Sequence, residues 1–124
     1  MRMLEIFFAI CALTTLECND IKVVWYQGFE EDTYGAAGYD DDGNYYVLIN
    51  PEVKDKSERF HYQLMVHEIA HLVAFEIDKE DISHFGIYEE ICEDLKEKTG
   101  VEGGTVCEPY HIRPHYPWRS LRRE

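Results

Sequence analysis

A chain of 124 residues, 45% of them hydrophobic, has material for one core and little room for a second domain. Its formal net charge of −13 repels a nucleic-acid backbone, which excludes the body of the chain as a general DNA-binding surface. The four cysteines, Cys11, Cys18, Cys92 and Cys107, contain no C-x-x-C pair, so no zinc ribbon is encoded.

The first segment, Met1-Arg2-Met3 followed by Leu4 to Leu13, has the outline of a short secretory signal with Arg2 as its charged start. Glu5 interrupts the apolar run, and no small-x-small cleavage site precedes Asn19. The run is also too short to span a bilayer. The expectation is a buried first helix within residues 1–17 of a cytoplasmic protein, with secretion as the alternative. The cysteines leave both compartments open. Their even count permits two disulfides, and buried free thiols in a reducing cytosol are an equal alternative.

Ile21 to Tyr26 is rich in β-branched and aromatic residues and predicts a strand. Residues 28–44 are rich in Gly, Asp and Glu and read as a loop. Its turn signal, Asp40-Asp41-Asp42-Gly43-Asn44, predicts a hairpin tip. That turn lacks the spacing and closing glutamate of an EF-hand loop, so it is not read as a calcium site. Tyr45 to Ile49 predicts a second strand, stopped by Asn50-Pro51. Ser57 is an N-cap candidate for a long helix reaching Ile77. A polar break over 78–83 precedes a further helix from Gly86 to Lys98, with Ile87, Ile91 and Leu95 as its apolar stripe and Gly100 closing it. Thr105 to Cys107 predicts a short strand. Residues 111–124 carry four arginines and one glutamate, and with their Pro and aromatic residues they form the only basic stretch. Nucleic-acid contact is expected through that tail or not at all. No internal repeat and no linker interrupts the chain.

The long helix carries His67-Glu68-Ile69-Ala70-His71, an H-E-x-x-H motif. Two histidines four residues apart sit one turn above the other, so both imidazoles reach one Zn²⁺ while Glu68 lies beside its water. Met65, Val66, Ile69, Leu72 and Val73 make this helix too apolar for a surface position. A catalytic zinc takes three protein ligands and keeps one position for water, whose pKa it lowers. Glu68 would accept a proton from that water and pass it to the leaving amine. That chemistry is peptide-bond hydrolysis on a protein or peptide substrate. Mn²⁺ or Co²⁺ would also suit a histidine-rich site.

Two candidates stand for the third ligand. His84 lies thirteen residues after His71, beyond a polar turn. Glu90 lies nineteen residues after His71, a spacing similar to that of thermolysin-like peptidases, with Glu89 and Glu93 of the same type beside it. His61, six residues before His67, falls on a different face of the helix and is left out.

Residues Tyr45 to Gly100 resemble the SprT-like metallopeptidase domain, the group that includes the Spartan proteases. The resemblance rests on a strand before the H-E-x-x-H helix, on Ser83-His84-Phe85-Gly86-Ile87-Tyr88, and on Lys98-Thr99-Gly100 at the end of the next helix. It implies zinc on His67, His71 and His84, with Glu68 as catalytic acid/base. It also implies one α+β zincin-like domain, 1–124, with a small sheet packed on the motif helix and its neighbours. The chain departs from the family where Phe85 separates His84 from Gly86, and in its acidic character, which speaks against a DNA-bound substrate. Arg113, His115, Trp118 and Arg119 receive no role. The loop at 28–44 and the tail at 110–119 are expected to wall the cleft, where Tyr110 or His111 would stabilise an oxyanion if either reached it. The rival of a different class is a non-catalytic acidic module that engages a basic partner or mimics DNA.

Overall fold

The structure is a computed structural model that describes residues 2–30, 33–80, 83–103 and 106–108. It is a small α+β arrangement of three α-helices and a three-stranded sheet. Helix α1 spans Arg2–Cys11, α2 Glu58–Ile77 and α3 Ile87–Thr99. Strand β1 spans Lys22–Trp25, β2 Gly35–Tyr39 and β3 Tyr45–Ile49. The strand order is β1-β3-β2, with β1 parallel and β2 antiparallel to β3. No described helix is long and apolar enough to cross a membrane.

Helix α2 is the centre of the molecule. Ser57 caps it, its hydroxyl accepting from the Phe60 amide at 3.1 Å. Every residue from Leu64 to Leu72 is buried. A helix covered on all sides needs neighbours on all sides. Helix α1 supplies one, burying Met3, Ile6, Phe7, Ile10 and Cys11 at helical spacing. Helix α3 supplies another through Tyr88, Cys92 and Leu95, and β2 covers a third face. In β3, Val47, Leu48 and Ile49 are all buried, as befits the middle strand.

The structure departs from the sequence reading in three places and settles a fourth point that the reading left open. The first helix ends at Cys11 rather than near residue 17, and a 3-10 turn follows at Cys18–Asp20. The loop expected over 28–44 contains β2, whose sequence is Gly-Ala-Ala-Gly-Tyr. Its small residues lack β propensity and serve close approach instead. A Cβ on Gly35 would lie 3.0 Å from Leu64 of α2, so a side chain there would have to push α2 or its own strand aside. The strand expected at 105–107 is a turn at Val106 and Cys107, while Thr105 lies outside the described residues. The cysteines, left open as thiols or disulfides, are paired: Cys11 with Cys18, and Cys92 with Cys107. The first pair closes the end of α1 onto the 3-10 turn. The second ties α3 to the turn at Val106.

Candidate metal centre

His67 and His71 project from α2, one turn apart, and His84 comes from the segment leading into α3. All three are buried, and one ligand nitrogen of each lies within 4.8 Å of the others. Nε2 of His84 stands 3.1 Å from Nε2 of His67 and 3.1 Å from Nε2 of His71. His84 reaches this position because the chain turns sharply two residues later. Gly86 has φ 63° and ψ −120°, a conformation that a side chain strongly disfavours, and it starts α3 directly after the turn.

The ring of His67 has a defined tautomer. Its Nδ1 lies 2.6 Å from the Val106 carbonyl oxygen, and a carbonyl only accepts, so Nδ1 carries the proton. Burial, reinforced by charge on His84 and opposed by the Val106 hydrogen bond, holds the His67 pKa down at about 3. The neutral ring therefore presents an Nε2 lone pair to the other histidines. Burial first, then charge on His67 and His84, likewise pushes His71 well below the ordinary imidazole value. The Nε2 atom of His84 carries at most one proton, so it satisfies at most one of its two neighbours. At least one lone pair is left facing inward, which suits a cation.

The spacing fits as well. Imidazole binds zinc at about 2.0–2.1 Å, which sets two nitrogens on a tetrahedral ion about 3.3 Å apart. The observed 3.1 Å separations are close to that edge. These three buried histidines could hold one metal ion.

Glu68 lies next to them on α2 and is fully buried. Neither carboxyl oxygen has a hydrogen-bond partner among the described residues. Burial raises its pKa well above the ordinary carboxyl value. An orphaned buried carboxyl costs stability and calls for an explanation in function. Its neighbour is the edge strand, since a Cβ on Gly35 would stand 3.0 Å from Oε2 of Glu68.

Tyr88, from the first turn of α3, braces the centre. Its ring stacks on His71 with centroids 4.2 Å apart, and its hydroxyl donates to the His67 carbonyl at 3.0 Å. The sequence contained Tyr88 only as an aromatic in a motif, and nothing in it pointed to Val106. The repeated small residues of β2 were the available signal for a close approach at Gly35.

Glu89, Glu90 and Glu93 are exposed on α3, outside the histidine cluster. His61 turns its Nε2 to the Val53 carbonyl at 2.6 Å and takes no part. Tyr110, His111 and the whole tail at 111–124, with Arg113, His115, Trp118 and Arg119, lie outside the described residues. In the 28–44 segment, one of the two expected cleft walls, Gly35 lies against Glu68, and both are buried. Comparison with protein-family models, with curated proteins and with solved structures found no match for this chain.

Proposed function

We propose that this protein is a zinc-dependent metallopeptidase of SprT-like type, built on a zincin-like fold. The observation that carries the reading is the convergence of three buried imidazoles beside a buried carboxyl with no hydrogen-bond partner. His67, His71 and His84 would hold the ion. Zinc bound there would supply a Lewis acid for the scissile carbonyl and would acidify water. Glu68 is the group that moves the proton: its carboxylate takes one from the attacking water and returns it to the leaving amine. A carboxyl whose affinity for a proton is raised by burial suits both halves of that task.

The edge strand offers a way to seat the substrate. The Asn50 amide donates to the Tyr34 carbonyl and the Asp40 amide to the Asn44 carbonyl. With Gly35 opposite Ile49 and Ala37 opposite Val47, this alternation turns the N–H and C=O of Gly35 and Ala37 away from β3. An extended peptide added beside β2 would pair with those groups, on the strand whose Gly35 lies against Glu68.

The test begins with metal content. Protein purified without added metal, or offered zinc afterwards, is expected to hold about one zinc, to lose it in His84→Ala and to keep it in Glu90→Ala. Peptidase activity on unfolded protein should then vanish in Glu68→Gln while the zinc stays. Loss of zinc in Glu90→Ala alone would move the third ligand to that glutamate. Activity of any kind that is unchanged in Glu68→Gln would replace the hydrolase with a non-catalytic acidic module.

A further inference from the structure

We infer that the Cys92–Cys107 disulfide is a positioning element of the metal centre, acting through the Val106 carbonyl on the ring of His67. The inference rests on the metal-binding reading of the three histidines and adds to it a part they do not contain.

The chain of contacts is short and buried. Cys92 lies on α3, fully buried, one turn beyond Tyr88 on the same face. Its partner Cys107 is buried in the turn that follows. The residue before Cys107 is Val106, whose carbonyl accepts from His67 Nδ1 at 2.6 Å. One face of α3 thus supports the centre twice. Tyr88 touches it directly, on the His67 carbonyl and the His71 ring. Cys92 reaches it through a covalent bond to the residue next to the His67 acceptor.

Among the described residues, two further hydrogen bonds hold this turn. Gln63, one turn before His67 on α2, donates to the Glu102 carbonyl at 2.8 Å. The Val106 amide donates back to Gly103 over 3.4 Å, a long contact within the turn itself. Neither holds the Val106 carbonyl against α2. The disulfide fixes the turn to the neighbouring helix, and so fixes the oxygen that His67 needs.

The oxygen matters because a neutral imidazole has two tautomers. A hydrogen bond at one nitrogen decides which nitrogen keeps its lone pair, and it sets the plane of the ring. With Nδ1–H bound to Val106, Nε2 of His67 faces His84 with its lone pair available. With the turn released, the ring loses the acceptor that selects this tautomer. Outer partners of this kind typically contribute a factor of about 10 to 100 in metal affinity.

The test compares the full chain with two double variants, Cys92→Ala/Cys107→Ala and Cys11→Ala/Cys18→Ala. The second removes the other disulfide, which joins the end of α1 to the 3-10 turn rather than to the turn that carries Val106. Alanine also removes thiols that would bind zinc themselves. Zinc affinity is measured by competition with a chromophoric chelator, and the fold by far-UV circular dichroism. Ring nitrogen NMR of the metal-free proteins reads the His67 tautomer. The expected result is zinc binding about 10 to 100 times weaker in the Cys92/Cys107 variant, with the His67 tautomer mixed. The Cys11/Cys18 variant should keep the affinity and the tautomer of the unaltered chain. If the alanine pair fails to fold, Cys92→Val/Cys107→Ala, which refills the buried space, is measured instead. Unchanged affinity in the folded Cys92/Cys107 variant overturns the inference, and so does an equal loss in both variants. A full chain that takes up no zinc defeats the metal reading itself, an outcome separable from either of these.

Discussion

Gly35 of the edge strand lies so close to Glu68 of the central helix that a Cβ at residue 35 would stand 3.0 Å from the carboxyl oxygen Oε2. The same Cβ would meet Leu64 Cδ1 at 3.0 Å and the Leu48 carbonyl at 3.3 Å. Space at this point is shared between a strand backbone and the proposed proton carrier. Gly35→Ala should therefore push on Glu68 and on the packing of β2 together. The expected cost is about 1–3 kcal/mol of stability, the range for an overpacked site. Peptidase activity should fall while zinc content stays near one, because the histidines are not displaced. A thermal melt, a zinc assay and a peptidase assay on the same preparation check this. Full activity in Gly35→Ala would mean that the contact has no bearing on Glu68.

This contact also marks the limit of what the sequence made legible. Helix α2 was readable because Ser57, a long apolar run and two histidines at one-turn spacing all agree on one structure. Strand β3 was readable for a similar reason, since Tyr-Tyr-Val-Leu-Ile before Asn-Pro is a strand on any scale of propensity. Strand β2 was hidden, because Gly-Ala-Ala-Gly earns its place by what it leaves out, and propensity scores only what a side chain adds. The histidines at 67 and 71 came from the H-E-x-x-H motif at one-turn spacing, whereas His84 came from its residue type and the loop before it, with Glu90 as rival until the resemblance favoured the histidine. The Val106 carbonyl could not be found at all. It is a backbone atom whose role depends on a turn and on a disulfide pairing, and cysteine spacing does not determine pairing.

The pairing of the cysteines is itself open to direct measurement. Alkylation of the denatured, unreduced protein should add no mass, and alkylation after reduction should modify all four cysteines. Loops of this size predict losses of about 2 kcal/mol for Cys11–Cys18 and about 3 kcal/mol for Cys92–Cys107 on reduction. Four modified thiols without reduction would mean that neither pair forms.

Gly86 separates backbone strain from side-chain crowding. Its φ is 63°, and a Cβ there would meet nothing within 4 Å. Any effect of Gly86→Ala is therefore conformational. The expected loss is about 1–3 kcal/mol, with weaker zinc binding because His84 lies two residues away. D-alanine at residue 86, introduced by chemical ligation, adopts positive φ without that penalty and should restore both properties. Equal weakening by both alanines would point to some other cause.

Glu68 and the histidines give the metal-free protein an opposed response to pH. The folded pKa of Glu68 is raised above its ordinary 4.5, so the folded state keeps a proton that the unfolded state releases. The associated stability is fully present below pH 4.5 and is lost as the pH rises towards the folded value. His67 and His71 act in the other direction. Their folded pKa values lie below 6.5, so the unfolded state gains protons first, and stability falls as the pH drops below 6.5. For His67 that loss levels off near a pH of about 3. Glu68→Gln removes only the first response. The metal-free variant should gain melting temperature over the metal-free unaltered chain as the pH rises from about 5 to about 8, and both should lose stability together in acid. Zinc should narrow the gap, since a cation beside the carboxylate stabilises its charged form. A gap that does not change with pH would mean that Glu68 is already ionised in the folded protein, and that its burial costs less than its isolation implies.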